Sequence, residues 1–180
     1  NGTAVTRADE QAFDSGDAAT FNDSEGVLMV DICGLVNGGD SRRFCINDNT
    51  TSIDNRLIIE LDENASTINA IMNSGGTEVG TLSVTGIPQN QFNKIAIIYK
   101  LNSFEMYING FLLDSDYVVA SLPIGLSDLK MRGTSDINMF YGKAKQVQYF
   151  DTALTEAQLE TLTSWITFQA MVTAQLYTIY

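Results

Sequence analysis

The chain has 180 residues, 44% hydrophobic and 18% charged, with 22 acidic against 10 basic residues, no histidine and a formal charge of −12. That charge repels phosphate backbones and anionic membrane surfaces, and no run of basic residues reverses it locally, which sets nucleic-acid binding aside. Without histidine there is no Ser-His-Asp triad, no Cys-His pair and no His-ligated zinc, and no apolar run approaches the ~20 residues of a membrane span.

A length of 180 residues suits one domain, which at this size buries roughly two-thirds of its unfolded surface and needs no metal or disulfide staple. The sequence starts at Asn1 in a polar stretch that matches no signal-peptide pattern and carries no initiator Met. It is expected to be a piece of a longer chain or a processed product. Residues 1–63 hold 13 acids and 4 bases; solubility, calcium or a basic partner would each account for that excess.

Residues 1–25 are polar, with Val5, Phe13 and Phe21 as scattered anchors, and predict an edge strand followed by a long loop. Val27-Leu28-Met29-Val30-Asp31-Ile32 predicts a strand, and Arg43-Phe44-Cys45-Ile46 is expected to pair back on it across Asn37-Gly38-Gly39-Asp40-Ser41. After the Asn-rich loop 47–55 come Leu57–Leu61, Thr67–Met72 and, past the Asn73-Ser74-Gly75-Gly76 turn, Glu78–Thr85. Lys94–Lys100 is a buried strand. A two-residue turn at Asn102-Ser103 would set Lys100 opposite Glu105 and Tyr99 opposite Met106. Asn109-Gly110, the favoured type I′ pair, turns Phe104–Ile108 into Phe111–Leu113.

Leu126–Met131 and Met139–Phe150 predict the last strands. Thr155 then predicts an N-cap, with Gln158 completing a capping box for a helix carrying Leu159 and Leu162. Thr167 predicts the cap of a second short helix with Phe168, Met171, Val172 and Leu176. Strand signals every 8–12 residues with helix only at the end predict an all-β, antiparallel two-sheet sandwich with a short C-terminal helical appendage. The expected divisions are residues 1–20 (edge strand and loop), 21–154 (sandwich) and 155–180 (helices and tail).

Two segments carry a family resemblance. Residues 93–118, with Phe104-Glu105-Met106-Tyr107-Ile108-Asn109-Gly110, resemble the central hairpins of laminin-G-like and concanavalin A-like domains. Residues 140–155, from Phe140-Tyr141-Gly142 to Asp151-Thr152-Ala153-Leu154-Thr155, resemble the closing strand of that family and its step into a helix. Gly142 would let the chain bend tightly onto its neighbour. The likeness covers roughly residues 20–165 and implies a jelly-roll sandwich. The opening Phe21-Asn22-Asp23-Ser24-Glu25-Gly26-Val27-Leu28 and the ending, Thr167 through Ile179, are similar to lectin-like domains of bacteriophage fibres or spikes, especially those of marine and gut Bacteroidetes.

Of the chemistry such folds host, hydrolysis is set aside. Laminarinase-type enzymes carry Glu-x-Asp-x-Glu on one strand, whereas Glu60-Leu61-Asp62-Glu63 turns its second glutamate to the other face. Candidate sugar-binding residues are Tyr107 and Tyr141 as stacking platforms with Asp136 and Asn138 as hydrogen-bonders; the competing role for both tyrosines is covering the sandwich. Asn47, Asp48, Asn49 and Asp54 offer hard oxygens that suit calcium, and Asn and Asp are equally turn formers. The Asn37–Ser41 loop would bring Cys33 opposite Cys45, a feasible cross-strand disulfide, with two free thiols filling apolar space as the other outcome. The acceptor-type motifs at Asn1, Asn22, Asn49 and Asn64 are frequent by chance in so Asn/Thr-rich a chain.

The resemblance implies a non-enzymatic binding module on a virion surface, recognising a host-envelope glycan or polysaccharide through many weak copies. Other virion proteins or further copies of the chain are the expected neighbours, with no cofactor beyond calcium. Two rival readings are a purely structural virion decoration and a carbohydrate-binding module of a secreted bacterial protein.

Overall fold

A computed structural model describes residues 15–50, 54–133 and 138–165. Ten strands run in chain order: β1 (Glu25–Gly34), β2 (Arg42–Asn47), β3 (Arg56–Leu61), β4 (Thr67–Ser74), β5 (Thr77–Thr85), β6 (Asn93–Lys100), β7 (Ser103–Ile108), β8 (Phe111–Asp116), β9 (Asp128–Lys130) and β10 (Gly142–Phe150). One helix, α1 (Glu156–Thr163), follows. The strands form two five-stranded sheets, β10-β1-β6-β7-β8 (the front sheet) and β5-β4-β3-β2-β9 (the back sheet), with antiparallel pairing throughout the described residues. This is the expected sandwich. Among the described residues no helix is long and apolar enough to cross a membrane.

Alternation makes the core. Leu28, Val30 and Ile32 of β1, Ile95, Ile97 and Tyr99 of β6, and Phe104, Met106 and Ile108 of β7 meet Phe44, Ile46, Leu57, Ile59, Leu61, Ile68, Ala70 and Met72 from the back sheet. Each is essentially buried, as the inner faces of a packed sandwich require. Fully burying side chains of this kind contributes about 1.5–3 kcal/mol apiece before chain entropy is counted.

The Cys33–Cys45 pairing is corrected. β1 pairs with β10 and β6, while β2 pairs with β3 and β9, so the two cysteines lie in different sheets and both are free, buried thiols. Burial pushes the Cys45 thiol up to about 11, which keeps it protonated. The loop between β1 and β2 crosses from one layer to the other around a buried hub. Gln89 donates to the carbonyls of Asp62, Asn64 and Thr67 at 2.9, 3.1 and 2.6 Å, and accepts from Arg42 Nη2 at 2.6 Å and from the Gly38 N–H at 3.1 Å. The turn residues reverse the chain as expected, but into the other layer.

The β6–β7 register is also corrected. Lys100 faces Ser103, Tyr99 faces Phe104 and Ile98 faces Glu105, because the turn is Leu101-Asn102, with Asn102 at φ 59°. Asn109-Gly110 forms the expected turn with both residues left-handed, φ 53° and 93°. Glycine is required there twice over, since a Cβ would lie 2.6 Å from Ser164 Oγ. At Gly142 a Cβ would sit 2.5 Å from the Cys33 carbonyl, the tight approach expected for that position.

Residues 15–24 form no strand, and they are tied instead to β10. Tyr99 Oη donates to the Asn22 carbonyl at 2.5 Å, Tyr149 Oη accepts from the Asn22 N–H at 2.8 Å, and Phe21 meets the Tyr149 ring edge-on at 4.9 Å. Helix α1 has the expected capping box between Thr155 and Gln158, and Leu159 packs on the outer face of the front sheet among Val27, Met29, Ala96, Ile98 and Tyr107. The proposed edge strand before residue 15 and the helix begun at Thr167 lie outside the described residues.

Candidate functional site

The outer face of the back sheet is built from the alternate positions of β2 to β5. Register places Arg43, Glu60, Asn69 and Ser83 side by side in one row across four strands. A second row holds Lys130, Cys45, Ile58, Ile71 and Thr81, and a third begins Asn47, Arg56, Asn73. A short apolar strip is thus flanked by two polar rows.

Hydrogen bonds stiffen the first row. Arg43 Nε pairs with Glu60 Oε2, Asn69 Nδ2 donates to Glu60 Oε1 at 3.1 Å and to Asp62 Oδ2 at 2.8 Å, and Ser83 Oγ donates to Asn69 Oδ1 at 2.8 Å. In the third row Arg56 Nε donates to Asn73 Oδ1 at 3.1 Å. Each guanidinium is therefore oriented through Nε, and neither terminal Nη pair has a partner among the described residues. Such a free planar fork matches a carboxylate bidentately.

Arg43 and Arg56 stand on adjacent strands, four residues apart along them, so their Cα atoms are roughly 14 Å apart. Both charges are felt at the Cys45 thiol between them. Burial, and behind it the charge of Arg43, pulls Arg56 below the usual guanidinium value. Arg56, Lys130 and Arg43 all act on the Cys45 thiol. A chain of net charge −12 thus gathers three cations on one sheet face, although no stretch of its sequence is basic. Lys130 is held at 3.0 Å from Asp128 Oδ2 and donates to Asn49 Oδ1 at 3.1 Å.

The carboxyls lack the division of labour of a glycosidase. Burial pushes Asp62 up, but hydrogen bonds from the Asn64 backbone, the Asn64 side chain and Asn69 outweigh it and hold the group below the usual carboxylate value. A general acid needs the opposite shift. Glu60 is occupied by Arg43 and Asn69.

The sequence-derived candidates do not converge on one place. Tyr107 is 1% exposed and lies under α1, so its ring has no open face for a sugar; its role is to cover the front sheet. Tyr141 is 58% exposed, and it stands on the order of 25 Å from Tyr107 by strand count. Asn138 abuts the cationic face, its carbonyl accepting from the Arg43 N–H at 3.1 Å. Asp136 is outside the described residues.

In the Asn-rich loop the side-chain oxygens serve the loop itself. Asn47 Oδ1 accepts from the Asn49 N–H at 2.8 Å, Asp48 Oδ1 from Thr50 Oγ1 at 2.6 Å, and Asp48 Oδ2 from Asn55 Nδ2 at 3.2 Å. The Asp54 carbonyl accepts from the Gly76 N–H at 3.1 Å. With the Lys130 ammonium on Asn49, a second cation there would be repelled. Among the described residues no three His, Cys, Asp or Glu side chains are grouped to hold a metal ion.

Sequence reasoning missed Arg43, Arg56, Asn69 and Lys130. The available signal was the polar half of the alternation in Arg43-x-Cys45-x-Asn47, Arg56-x-Ile58-x-Glu60 and Asn69-x-Ile71-x-Asn73.

Comparison with known folds agrees with this architecture. The chain superposes on the CBM40 domain of the Ruminococcus gnavus IT-sialidase with a TM-score of 0.66 at 14% identity, covering 79% of this chain and 84% of that one. The same domain bound to alpha2,6 sialyllactose gives a TM-score of 0.66 at 13% identity over 83% and 93%. The heptameric SAP-like pentraxin of Limulus polyphemus gives 0.57 at 15% identity over 78% and 70%. No curated protein sequence matches the chain. Residues 35–160 match the family model of the concanavalin A-like lectin/glucanases superfamily, and the chain belongs to that family.

Proposed function

We propose that this domain is a non-catalytic glycan-binding module whose back-sheet face recognises a carboxylated sugar. The observation that carries the reading is the pair of guanidiniums, Arg43 and Arg56, each oriented through Nε with its terminal fork unpartnered among the described residues, on one face of an otherwise acidic protein. Sialyllactose, bound by the R. gnavus domain, carries one such carboxylate. A carboxylate on one fork, with the sugar against the half-buried Ile71 and hydroxyls on Asn69 and Ser83, uses each part of the face. Asn138 and the exposed Tyr141 would extend it past β2.

In the phage setting suggested by the likeness of residues 21–28, the module sits on the virion surface as a host-attachment domain of a fibre or spike. Weak single-site contacts are multiplied there by copy number. The test is a glycan array probed with a multimerised domain. Acidic glycans are expected to be retained over their neutral counterparts, with at least ~10-fold loss, about 1.4 kcal/mol, in Arg43→Ala and Arg56→Ala. Equal binding of neutral glycans, or variants that bind like the parent, would overturn the assignment. Binding to host cells tests the virion role separately.

A further inference from the structure

The opposite side of the molecule carries a second concavity. Where the N-terminal end of α1 leaves the front sheet, a cleft of about 300 Å³ opens, lined by Lys100, Glu105, Tyr107, Leu112, Tyr117 and Glu156. Ile98, Tyr107 and Leu159 close its base, all at most 2% exposed, so the surface open to a ligand is mainly polar, and Tyr117 stands 56% exposed on the rim. The volume is that of a small-ligand site.

The charges of the cleft are arranged, not scattered. Glu105 is fixed by two donors, Ser103 Oγ at 2.7 Å on Oε1 and Tyr107 Oη at 3.0 Å on Oε2. Glu156 comes from the first turn of α1. Burial first, and then Glu105, Glu156 and Tyr117, raise the Tyr107 phenol, so these groups converge on one hydroxyl. Lys100, the single basic residue of the lining, lies directly opposite Glu25 in the β1–β6 ladder. Neither Glu105 nor Glu156 makes an ion pair among the described residues. Two carboxylates and an open aromatic ring therefore share a cleft whose single cation, Lys100, makes an ion pair with neither of them among the described residues.

We infer that this cleft is a second binding site, independent of the back-sheet face, for an organic cation on an apolar stem: an alkylammonium or guanidinium group. The stem lies on Leu112, and the head takes Glu105 and Glu156 while Tyr117 covers it with its ring. An ammonium over an aromatic ring contributes ~0.5–2 kcal/mol, more as water is excluded. The neutral analogue leaves both carboxylates solvated and gains only the apolar contact. The cation comes either as a free amine or as a lysine or arginine side chain presented by another protein.

The test is a titration of the ¹⁵N-labelled chain followed by amide shifts. The probes are n-butylammonium, a capped Gly-Lys-Gly peptide and the same peptide acetylated on lysine Nζ. Both cationic probes are expected to give saturable shifts at Glu105, Tyr117 and Glu156, with the acetylated peptide about 10-fold weaker or worse. Glu156→Gln, an exposed position, is expected to weaken both cations about 3-fold or more while leaving Tm unchanged, and Tyr117→Ala to do the same. A lysine peptide much tighter than butylammonium identifies a protein partner, and equal affinities a free amine. Saturable binding that is the same for the acetylated peptide, indifference to both variants, or no saturation by about 20 mM would overturn the site.

Discussion

The two sheets share an inward pattern and differ outward. In β1, β6 and β7 the outward positions include Val27, Met29, Ala96, Ile98 and Tyr107, and α1 lies on them through Leu159. In β2, β3 and β4 they include Arg43, Asn47, Arg56, Glu60, Asn69 and Asn73, which bond mainly to one another across the strands. The middle strands of the front sheet are thus covered by α1 with apolar contacts, while the outer face of the back sheet carries polar groups, several of them buried. One face is covered by a helix, and the other is the one proposed for recognition. The same alternation, with its second half apolar or polar, decides which.

The largest effects should fall on the front sheet. Tyr107→Ala empties the space beneath α1 and is expected to cost ~3–5 kcal/mol, with Leu159→Ala at ~2–4, read from urea or thermal unfolding. A silent Leu159→Ala would mean that the helix only leans on the sheet. On the back sheet, Arg43→Met leaves the buried Glu60 without its partner and should cost ~1–3 kcal/mol. Arg43→Met with Glu60→Leu should recover most of that, because removing both charges relieves their desolvation. If the double variant were worse than the single, the pair would be a source of stability and not a binding feature held in place.

Smaller effects sharpen the contrast. Thr155→Ala removes the capping box and should cost ~1 kcal/mol. At Asp31, on the outer face of the front sheet, one oxygen is buried without a partner. Burial raises its pKa above 3.8 against the pull of Lys145 and Lys94. A carboxyl raised in the folded state contributes stability below its unfolded value and loses it as pH rises through the folded one. Asp31→Asn should therefore stabilise the protein by ~1 kcal/mol at neutral pH, and the gain should vanish toward pH 3. A gain constant across that range would place its origin elsewhere than in the charge.

Much of this was legible in the chain. The strands, the Asn109-Gly110 turn and the Thr155–Gln158 cap are local, and local chemistry determined them. What failed was non-local. The Asn37–Ser41 turn announces a reversal but not the layer entered, which depends on Gln89, some fifty residues away. The β6–β7 register slipped by two, and a shift of two leaves every side chain on its own face, so alternation could not detect it. The cationic face escaped for the same reason. Arg43 and Arg56 are thirteen residues apart, and Lys130 joins them only through pairing of β9 with β2.

If the polar back-sheet face, and not the helix-covered one, meets an acidic glycan, a titration of the ¹⁵N-labelled chain with sialyllactose and with lactose will show it. Amide shifts are expected to cluster at Arg43, Cys45, Arg56, Ile58, Glu60 and Asn69 with the acidic sugar, and to be small with lactose. Shifts gathered along α1, β7 and β8, or an equal response to lactose, would contradict this assignment.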